Sequence, residues 1–327
     1  MHFRTILSQK PQPNQISLKD ALITVGSCFS DAIGKRLTQN KFNTLVNPFG
    51  TIYNPVSIHQ LLNMAANKES LPAYSFIERE QIYANYLFHS QFNELSQKAL
   101  EENLNAILQQ VKQQLQLPGF LLITYGTAWV YTEKKSGQVV ANCHKMPAEL
   151  FEKRLLSVQE IKEDFERLRQ ILQKINNKLT IILTISPVRH IKDTLELNTV
   201  SKSVLRLACH EIIQEHSQVV YFPAYEIMMD DLRDYRFYKD DLIHPTVFAE
   251  DYIWEKFEQT YFDADTIAFI KKWKEIKSAL AHKPFQPSST AHQQFLKSLY
   301  TKVNELKNIV DVEEELSFIK SQITGNL

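Results

Sequence analysis

Short apolar runs along the chain alternate with longer segments in which apolar residues recur every three or four positions. The short runs are typical of buried strands, and the longer periodic segments are typical of amphipathic helices. The pattern predicts five strands, at residues 22–25, 42–46, 120–125, 180–185 and 219–222. It predicts helices at residues 29–37, 57–67, 103–115, 158–174 and 202–215. Regular alternation of strands and helices predicts an α/β fold in which helices cover both faces of a parallel sheet.

Two further segments and the C-terminal part depart from this alternation. Residues 74–92 are rich in aromatic side chains and predict irregular strands, and residues 130–142 predict a β-hairpin that turns at Gly137. From residue 263 onward no strand pattern occurs, and Pro284 and Pro287 interrupt the predicted helices. We therefore expect an α/β domain at residues 1–262, with hairpin insertions near 74–92 and 130–145, and helices at 263–327 packed on the same domain.

The junction between the first strand and the first helix carries reactive side chains. Gly26 permits a sharp turn, and Ser27 and Cys28 follow it directly, before the helical pattern begins at Phe29. A helix N-terminus offers free N–H donors and partial positive charge, which lower the pKa of a thiol and stabilise an oxyanion. The junction predicts a nucleophile. The alternative is a structural turn with a buried, inert cysteine.

A second candidate segment lies far downstream, where Asp241 and His244 are spaced D-x-x-H just before a predicted helix. This spacing can bring the carboxylate onto Nδ1 of the histidine, so that Nε2 faces outward as a general base. Asp240 is a weaker alternative because its offset is four residues. The structural alternative is a helix cap, with Thr246 or Asp241 bonded to free amides and His244 partly buried.

Composition limits the classes of partner. Lys and Arg number 37, as do Asp and Glu, so no net charge draws the chain to nucleic acid or to an anionic membrane. The first residues lack the apolar core of a signal peptide, and no window is apolar for long enough to span a bilayer. Three cysteines without C-x-x-C spacing argue against a disulfide framework or a structural zinc site. We expect a cytoplasmic protein that binds neither nucleic acid nor membranes.

Several sequence blocks resemble, in the same order, those of one family. They are VGSCF at residues 25–29, NPFGTIYNP at 47–55, GTAWVY at 126–131, ANCHK at 141–145, SPVRH at 186–190 and DLIHP at 241–245. They are similar to the GSCFA-domain proteins, which are grouped with the SGNH hydrolases, also called GDSL-type esterases. The resemblance implies a flavodoxin-like three-layer α/β/α sandwich with a central parallel sheet, here with a helical C-terminal extension.

The resemblance also implies roles for single residues. Cys28 matches the superfamily's nucleophilic serine and Ser27 matches its aspartate, so a thiol replaces the hydroxyl and either residue is a candidate nucleophile. Gly50 matches the second block's glycine, whose N–H joins that of Cys28 in an oxyanion hole. The residues matched to the other blocks are Gly126 for the third block, with Thr127 or Asn142 as substitutes for its missing asparagine, and Asp241 and His244 for the fifth.

Three functions follow for comparison. The leading one is an SGNH-like esterase or acyltransferase that acts on a small-molecule or glycan ester, or on a thioester, without a cofactor; His144, Lys145 and Arg189 are candidates for binding an anionic group of the substrate. The second is a non-catalytic α/β ligand-binding protein that has kept the fold. The third, least favoured because metal-ligand spacing is missing, is a metal-dependent hydrolase built from His89, His144, His190 and His244.

Overall fold

The computed structural model describes residues 4–324. The limits of the predicted domains, at residues 1–3 and 325–327, lie outside the described residues. The described strands are β1 (Ala21–Gly26), β2 (Asn43–Val46), β3 (Phe76–Arg79), β4 (Ile82–Asn85), β5 (Gly119–Tyr125), β6 (Trp129–Glu133), β7 (Gln138–Val140), β8 (Phe151–Leu155), β9 (Thr180–Ile185) and β10 (Val219–Phe222). All five strands predicted for the central sheet are confirmed.

The described helices follow the same order as the prediction. They are α1 (Cys28–Gln39), α2 (Pro55–Asn67), α3 (Gln97–Leu115), α4 (Val158–Ile175), α5 (Leu195–Glu215), the short α6 (Ala224–Glu226), α7 (Val247–Tyr261), α8 (Ala264–Leu280), α9 (Thr290–Asn304) and α10 (Glu313–Gln322). Two of them start more than one helical turn earlier than predicted. The start of α3 moves from residue 103 to 97, where Ser96 is the N-cap, and that of α5 moves from residue 202 to 195, where Thr194 is the N-cap.

The central sheet has the strand order β10-β9-β5-β1-β2, and all its pairs are parallel. Neighbouring side chains along each strand point to opposite faces, because the strand period is two residues. Leu22, Phe120 and Ile182 accordingly pack with α1 and α7 on one face. Their neighbours Ile23, Leu121 and Ile181 pack with α2, α3, α4 and α5 on the other. The predicted three-layer α/β/α architecture is confirmed.

The predicted hairpin at residues 130–142 is part of a larger unit. β6 pairs antiparallel with β7, as predicted, and also with β8 on its other side, through Trp129↔Leu155 to Glu133↔Phe151. The sequence prediction contains no strand at β8, because Glu152, Lys153 and Arg154 give it no apolar alternation. The aromatic segment at residues 74–92 forms the separate β3-β4 hairpin.

The C-terminal helices α8, α9 and α10 pack against the face of the sheet that α1 covers. Trp273 on α8 is buried and its Nε1 donates to Gln39 O at 2.9 Å, while Lys41 pairs with Glu315 on α10 at 2.7 Å. The division of the chain into domains near residue 262 remains a prediction. Among the helices of residues 4–324, none combines the length and the apolar character needed to cross a bilayer.

Candidate active site

The candidate residues lie in loops that follow neighbouring strands of the central sheet. In open parallel sheets the carboxyl ends of the strands share one edge, and ligands bind in the crevice outside that edge. The residues placed there are Ser27 and Cys28 after β1, Gly50 after β2, Gly126 after β5, and Arg189 and His190 after β9. Asp241 and His244 join this edge because Arg189 N donates to Ile243 O at 3.4 Å.

Ser27 and Cys28 differ in what their side chains do. Ser27 is the N-cap of α1: it is fully buried, and its Oγ accepts a hydrogen bond from Phe29 N at 3.3 Å. Cys28 is the first residue of the helix and is half-buried. Because Ser27 is enclosed and committed to capping, Cys28 is the more accessible of the two candidate nucleophiles.

The environment of Cys28 raises the pKa of its thiol. Burial has the largest effect, and the nearby carboxylate of Asp31 acts in the same direction. The backbone N–H of Cys28 and the ammonium of Lys202 lower the pKa, but by less. The sequence argument from the helix N-terminus predicted a lowered pKa, and that is wrong because burial and a carboxylate one turn away outweigh the helix effect. Cys28 therefore requires a base.

Asn47 fixes the turn that presents Cys28. Its Oδ1 accepts from Gly26 N at 2.9 Å, and its Nδ2 donates to Asp31 Oδ1 at 2.9 Å. Its own N–H donates to Thr24 O at 2.8 Å, and its φ of 39° lies in the left-handed region that Asn tolerates. One side chain thus joins the end of β1, the start of α1 and the loop after β2.

Asp241 and His244 form the predicted pair. Oδ2 of Asp241 lies 2.7 Å from Nδ1 of His244, and Oδ1 accepts from the N–H groups of Ile243 and His244 at 2.9 and 3.0 Å. These hydrogen bonds hold the pKa of Asp241 down at about 2. The helix cap is Thr246, as the structural alternative allowed, and its Oγ1 accepts from Ala249 N. The carboxylate therefore orients the imidazole and does not cap α7.

No hydrogen bond joins Cys28 Sγ to His244 in the described part of the chain. Two aromatic residues, Tyr53 and His190, pack against each other near these groups. Tyr53 interacts electrostatically with Cys28, and its ring packs edge-on against the ring of His190 with centroids 5.1 Å apart. His190 in turn interacts electrostatically with His244, and its buried Nε2 has no hydrogen-bond partner. Burial lowers the pKa of His190 to about 4, so its imidazole is neutral at pH 7.

The glycine N–H groups proposed for oxyanion or substrate binding already have acceptors. Gly50 N donates to Asn47 O at 2.7 Å, and Gly126 N donates to Tyr53 O at 2.7 Å. The first residue of an α-helix has no acceptor within the helix, so the N–H of Cys28 is the freer donor. Gly126 instead provides space, because a Cβ there would lie 3.0 Å from the Tyr53 ring and 3.1 Å from His190 Nε2.

The two proposed substitutes for the missing third-block asparagine lie in different places. Thr127 Oγ1 is 3.0 Å from Ser201 Oγ and accepts from Trp129 N at 3.1 Å, so it braces the start of β6. Asn142 Oδ1 accepts from His144 N at 2.8 Å, and both residues line a cavity of about 440 Å³ beside the β3-β4 hairpin. Neither side chain makes a hydrogen bond to Cys28 or His244.

Arg189 directly precedes His190 in the loop after β9. Its guanidinium lies over the ring of Tyr238 at 4.2 Å and over that of Tyr235 at 5.3 Å, in a cavity of about 300 Å³ that Met228 and Met229 also line. Within residues 4–324 it has no carboxylate partner. A cation stacked on aromatic rings and free of a counter-ion suits the binding of an anionic group.

The four histidines of the metal hypothesis do not assemble. Residues 4–324 contain no group of three or more His, Cys, Asp or Glu side chains able to hold a metal ion. His144 uses Nε2 to contact Asn85 O at 2.8 Å, and His89 Nδ1 accepts from Gln91 N. Both rings thus have local structural bonds.

Lys202 was missed by the sequence prediction. It is 2% exposed, and its Nζ donates to Gly126 O and Ser186 O, both at 2.8 Å, at the ends of β5 and β9. The predicted helix started at residue 202, where a lysine is unremarkable. With the start at Leu195, however, Lys202 falls on the buried stripe of α5, in register with Asn198 and Leu205.

Fold and site together define an α/β protein whose parallel sheet carries, at its carboxyl edge, a cysteine at a helix N-terminus and a histidine held by an aspartate. The model of the GSCFA family matches residues 21–257, and the model described as GSCFA domain protein, C-terminal domain, matches residues 273–325. The chain belongs to the GSCFA family, which confirms that resemblance. No curated protein matches the chain.

Proposed function

We propose that this protein is an SGNH-hydrolase-like esterase or acyltransferase in which Cys28 is the nucleophile, His244 the general base and Asp241 the residue that orients the base. The observation that carries the proposal is the 2.7 Å contact between Asp241 Oδ2 and His244 Nδ1. That contact fixes the imidazole tautomer and leaves Nε2, which has no hydrogen bond within residues 4–324, to accept a proton.

The reaction starts with attack of Cys28 Sγ on the acyl carbon of an ester or thioester, and the thiol proton passes to His244 Nε2. The tetrahedral intermediate then expels the alcohol or thiol, which takes that proton from His244, and a thioester remains on Cys28. Water or an acceptor hydroxyl attacks the thioester, gives its proton to His244, and releases the product as the Cys28 thiol re-forms.

The separation of nucleophile and base is compatible with this scheme. Hydrogen bonds between catalytic groups are often long until the substrate is in place. The Cys28 N–H, at the positive end of α1, supports the oxyanion. Arg189, beside the His244 loop, supports a substrate that carries a carboxylate or phosphate near its acyl group.

Covalent trapping tests the proposal. We expect p-nitrophenyl acetate to acylate wild-type protein on Cys28, as identified by peptide mass spectrometry, and we expect Cys28→Ala and His244→Ala to abolish this acylation. Cys143→Ala is the matched control, because Cys143 is also half-buried and burial also raises the pKa of its thiol. Acylation of both site variants at the wild-type rate would refute the assignment.

A non-catalytic binding protein is the competing function. It is favoured by two observations, the missing hydrogen bond between Cys28 and His244 and the occupied N–H groups of Gly50 and Gly126. For a binding protein we expect saturable binding of an ester or thioester, and no release of product from any member of a panel of acyl donors. Product release that depends on Cys28 would exclude it.

A further inference from the structure

Lys202 is a buried cation whose charge has no carboxylate partner. Its two hydrogen bonds, from Nζ to Gly126 O and to Ser186 O, leave one of its three donors unused. Within residues 4–324, no carboxylate contributes to the shift in its pKa. Burying an ammonium without a counter-ion carries a large desolvation penalty, whereas a methionine fills a similar volume without it. Packing alone therefore does not account for a lysine here.

The position of Lys202 relates it to Cys28. β1 and β5 pair up to Gly26↔Thr124, and Ser27 N donates to Thr124 O at 3.1 Å. The carbonyl held by Lys202 Nζ, that of Gly126, is two residues beyond Thr124 on the same strand end. The ammonium thus sits at the edge of the sheet where α1 begins.

The charges around the thiol point the same way. Asp31 and Glu250 disfavour a thiolate at Cys28, and Lys202 is the cation that favours it. The effect is mutual: burial lowers the pKa of Lys202 to about 7, and the nearby Cys28 opposes that shift. Other titratable groups also face this pair: Tyr53 after β2, His190 after β9 and Tyr225, whose ring centroid is 5.7 Å from Nζ.

We propose that the ammonium of Lys202 is the counter-charge of the Cys28 thiolate, a positioning residue that stabilises the thiolate formed when the base removes the thiol proton. When the thiol proton leaves, to His244 in the reaction or to solvent in the free protein, the protonated form of Lys202 offsets the negative charge, and the thiolate in turn favours that form. Because the two charges interact, the two protons leave in two steps that belong to the pair. This inference rests on the proposed function for the role of Cys28.

Alkylation of Cys28 by iodoacetamide, followed by peptide mass spectrometry across pH 5–10, tests the inference in the full chain. We expect Lys202→Met to move the midpoint of the pH profile upward by about one unit and to slow alkylation at pH 7 about tenfold. Lys202→Arg, which keeps the charge, keeps the wild-type midpoint. Lys302→Met, at an exposed lysine on α9, leaves the profile unchanged. A folded Lys202→Met protein with the wild-type midpoint would overturn the inference.

A second measurement covers the case in which Lys202→Met does not fold. The ¹³Cε chemical shift of Lys202 is titrated in wild-type protein and in Cys28→Ser, which replaces the thiol by a hydroxyl that does not ionise in this range. We expect two steps in the wild type and one step in Cys28→Ser. Identical curves would refute the pairing. Neither measurement uses an acyl substrate, so a failure of the proposed function and a failure of this inference are distinguishable.

Discussion

The carboxylate of Asp241 holds His244 by both of its oxygens: Oδ2 contacts the imidazole Nδ1 at 2.7 Å while Oδ1 accepts the backbone N–H of the same residue at 3.0 Å. The ring and the backbone that carries it are thereby fixed together. This arrangement requires Leu242 to adopt a φ of 56°, a left-handed conformation that costs about 1 kcal/mol or more for a residue with a side chain. The local strain is compensated by the three hydrogen bonds to Asp241.

The first prediction concerns this carboxylate. Asp241→Asn removes the charge and leaves an amide that can donate to Nδ1, which favours the wrong tautomer of His244. We expect the rate of Cys28 acylation to fall at least about 100-fold, because the histidine no longer acts as a general base. The measurement is the acylation rate with p-nitrophenyl acetate at pH 7.

Asp240→Asn is the matched control, since Asp240 is an exposed neighbour without a hydrogen bond or ion pair within residues 4–324. We expect it to acylate at the wild-type rate. An equal loss in both variants would assign the effect to the general charge of the loop and would contradict the orienting role of Asp241.

The second prediction separates the adjacent Ser27 and Cys28. Ser27→Ala removes the cap of α1, and we expect it to lower the free energy of unfolding by about 1 kcal/mol while Cys28 is still acylated. Cys28→Ala has no such capping bond to lose, and we expect it to abolish acylation with a smaller effect on stability. Urea unfolding and peptide mass spectrometry measure the two effects. Acylation of Ser27 in the Cys28→Ala protein would reverse the assignment.

The sequence predicted the central sheet well because its strands are apolar on both faces and each is bounded by turn residues. Leu22 and Ile23 serve opposite cores, so their run needs no knowledge of partners to be recognised. β8 was missed because it is an edge strand of the three-stranded sheet and exposes Glu152, Lys153 and Arg154. A strand stabilised mainly by pairing with β6 leaves little hydrophobic pattern.

The site was predictable where the chemistry is local and not where it depends on distant residues. Asp241 and His244 are three positions apart, so their contact follows from the spacing. The pKa of Cys28 depends on Asp31 and on Lys202, which is 174 positions away and reaches the site only through the packing of α5. Likewise the buried contacts of His59 with Asp164 at 2.7 Å and with Tyr125 at 2.6 Å join three separate elements.

The third prediction concerns the turn after β1. Gly26 has a φ of 131°, and a Cβ there would collide with the carbonyl oxygen of Thr124 on the neighbouring strand. We expect Gly26→Ala to lower the free energy of unfolding by about 4 kcal/mol, from backbone strain and the clash together. Denaturant unfolding measures the change.

Gly137→Ala is the control for backbone strain alone. Gly137 has a φ of 68° in the turn between β6 and β7, and a Cβ there would meet no atom within 4 Å. We expect a loss of about 1 kcal/mol. Equal losses at the two glycines would show that the close approach of β1 and β5 does not require glycine at position 26.

The last prediction concerns pH and His190. Burial, with a smaller contribution from Lys202, lowers its pKa from 6.5 to about 4 in the folded protein. Between these two pH values the unfolded chain binds more protons than the folded one, so the free energy of unfolding falls as the pH is lowered. The full loss is about 3 kcal/mol once the pH is below the folded pKa.

We expect His190→Leu to remove this part of the acid sensitivity, as measured by urea unfolding from pH 7 to pH 4. His210→Leu is the control, because His210 is exposed on α5, and we expect this variant to keep the wild-type slope. If His190→Leu keeps the wild-type slope, the acid sensitivity arises elsewhere and His190 is not held neutral by its surroundings.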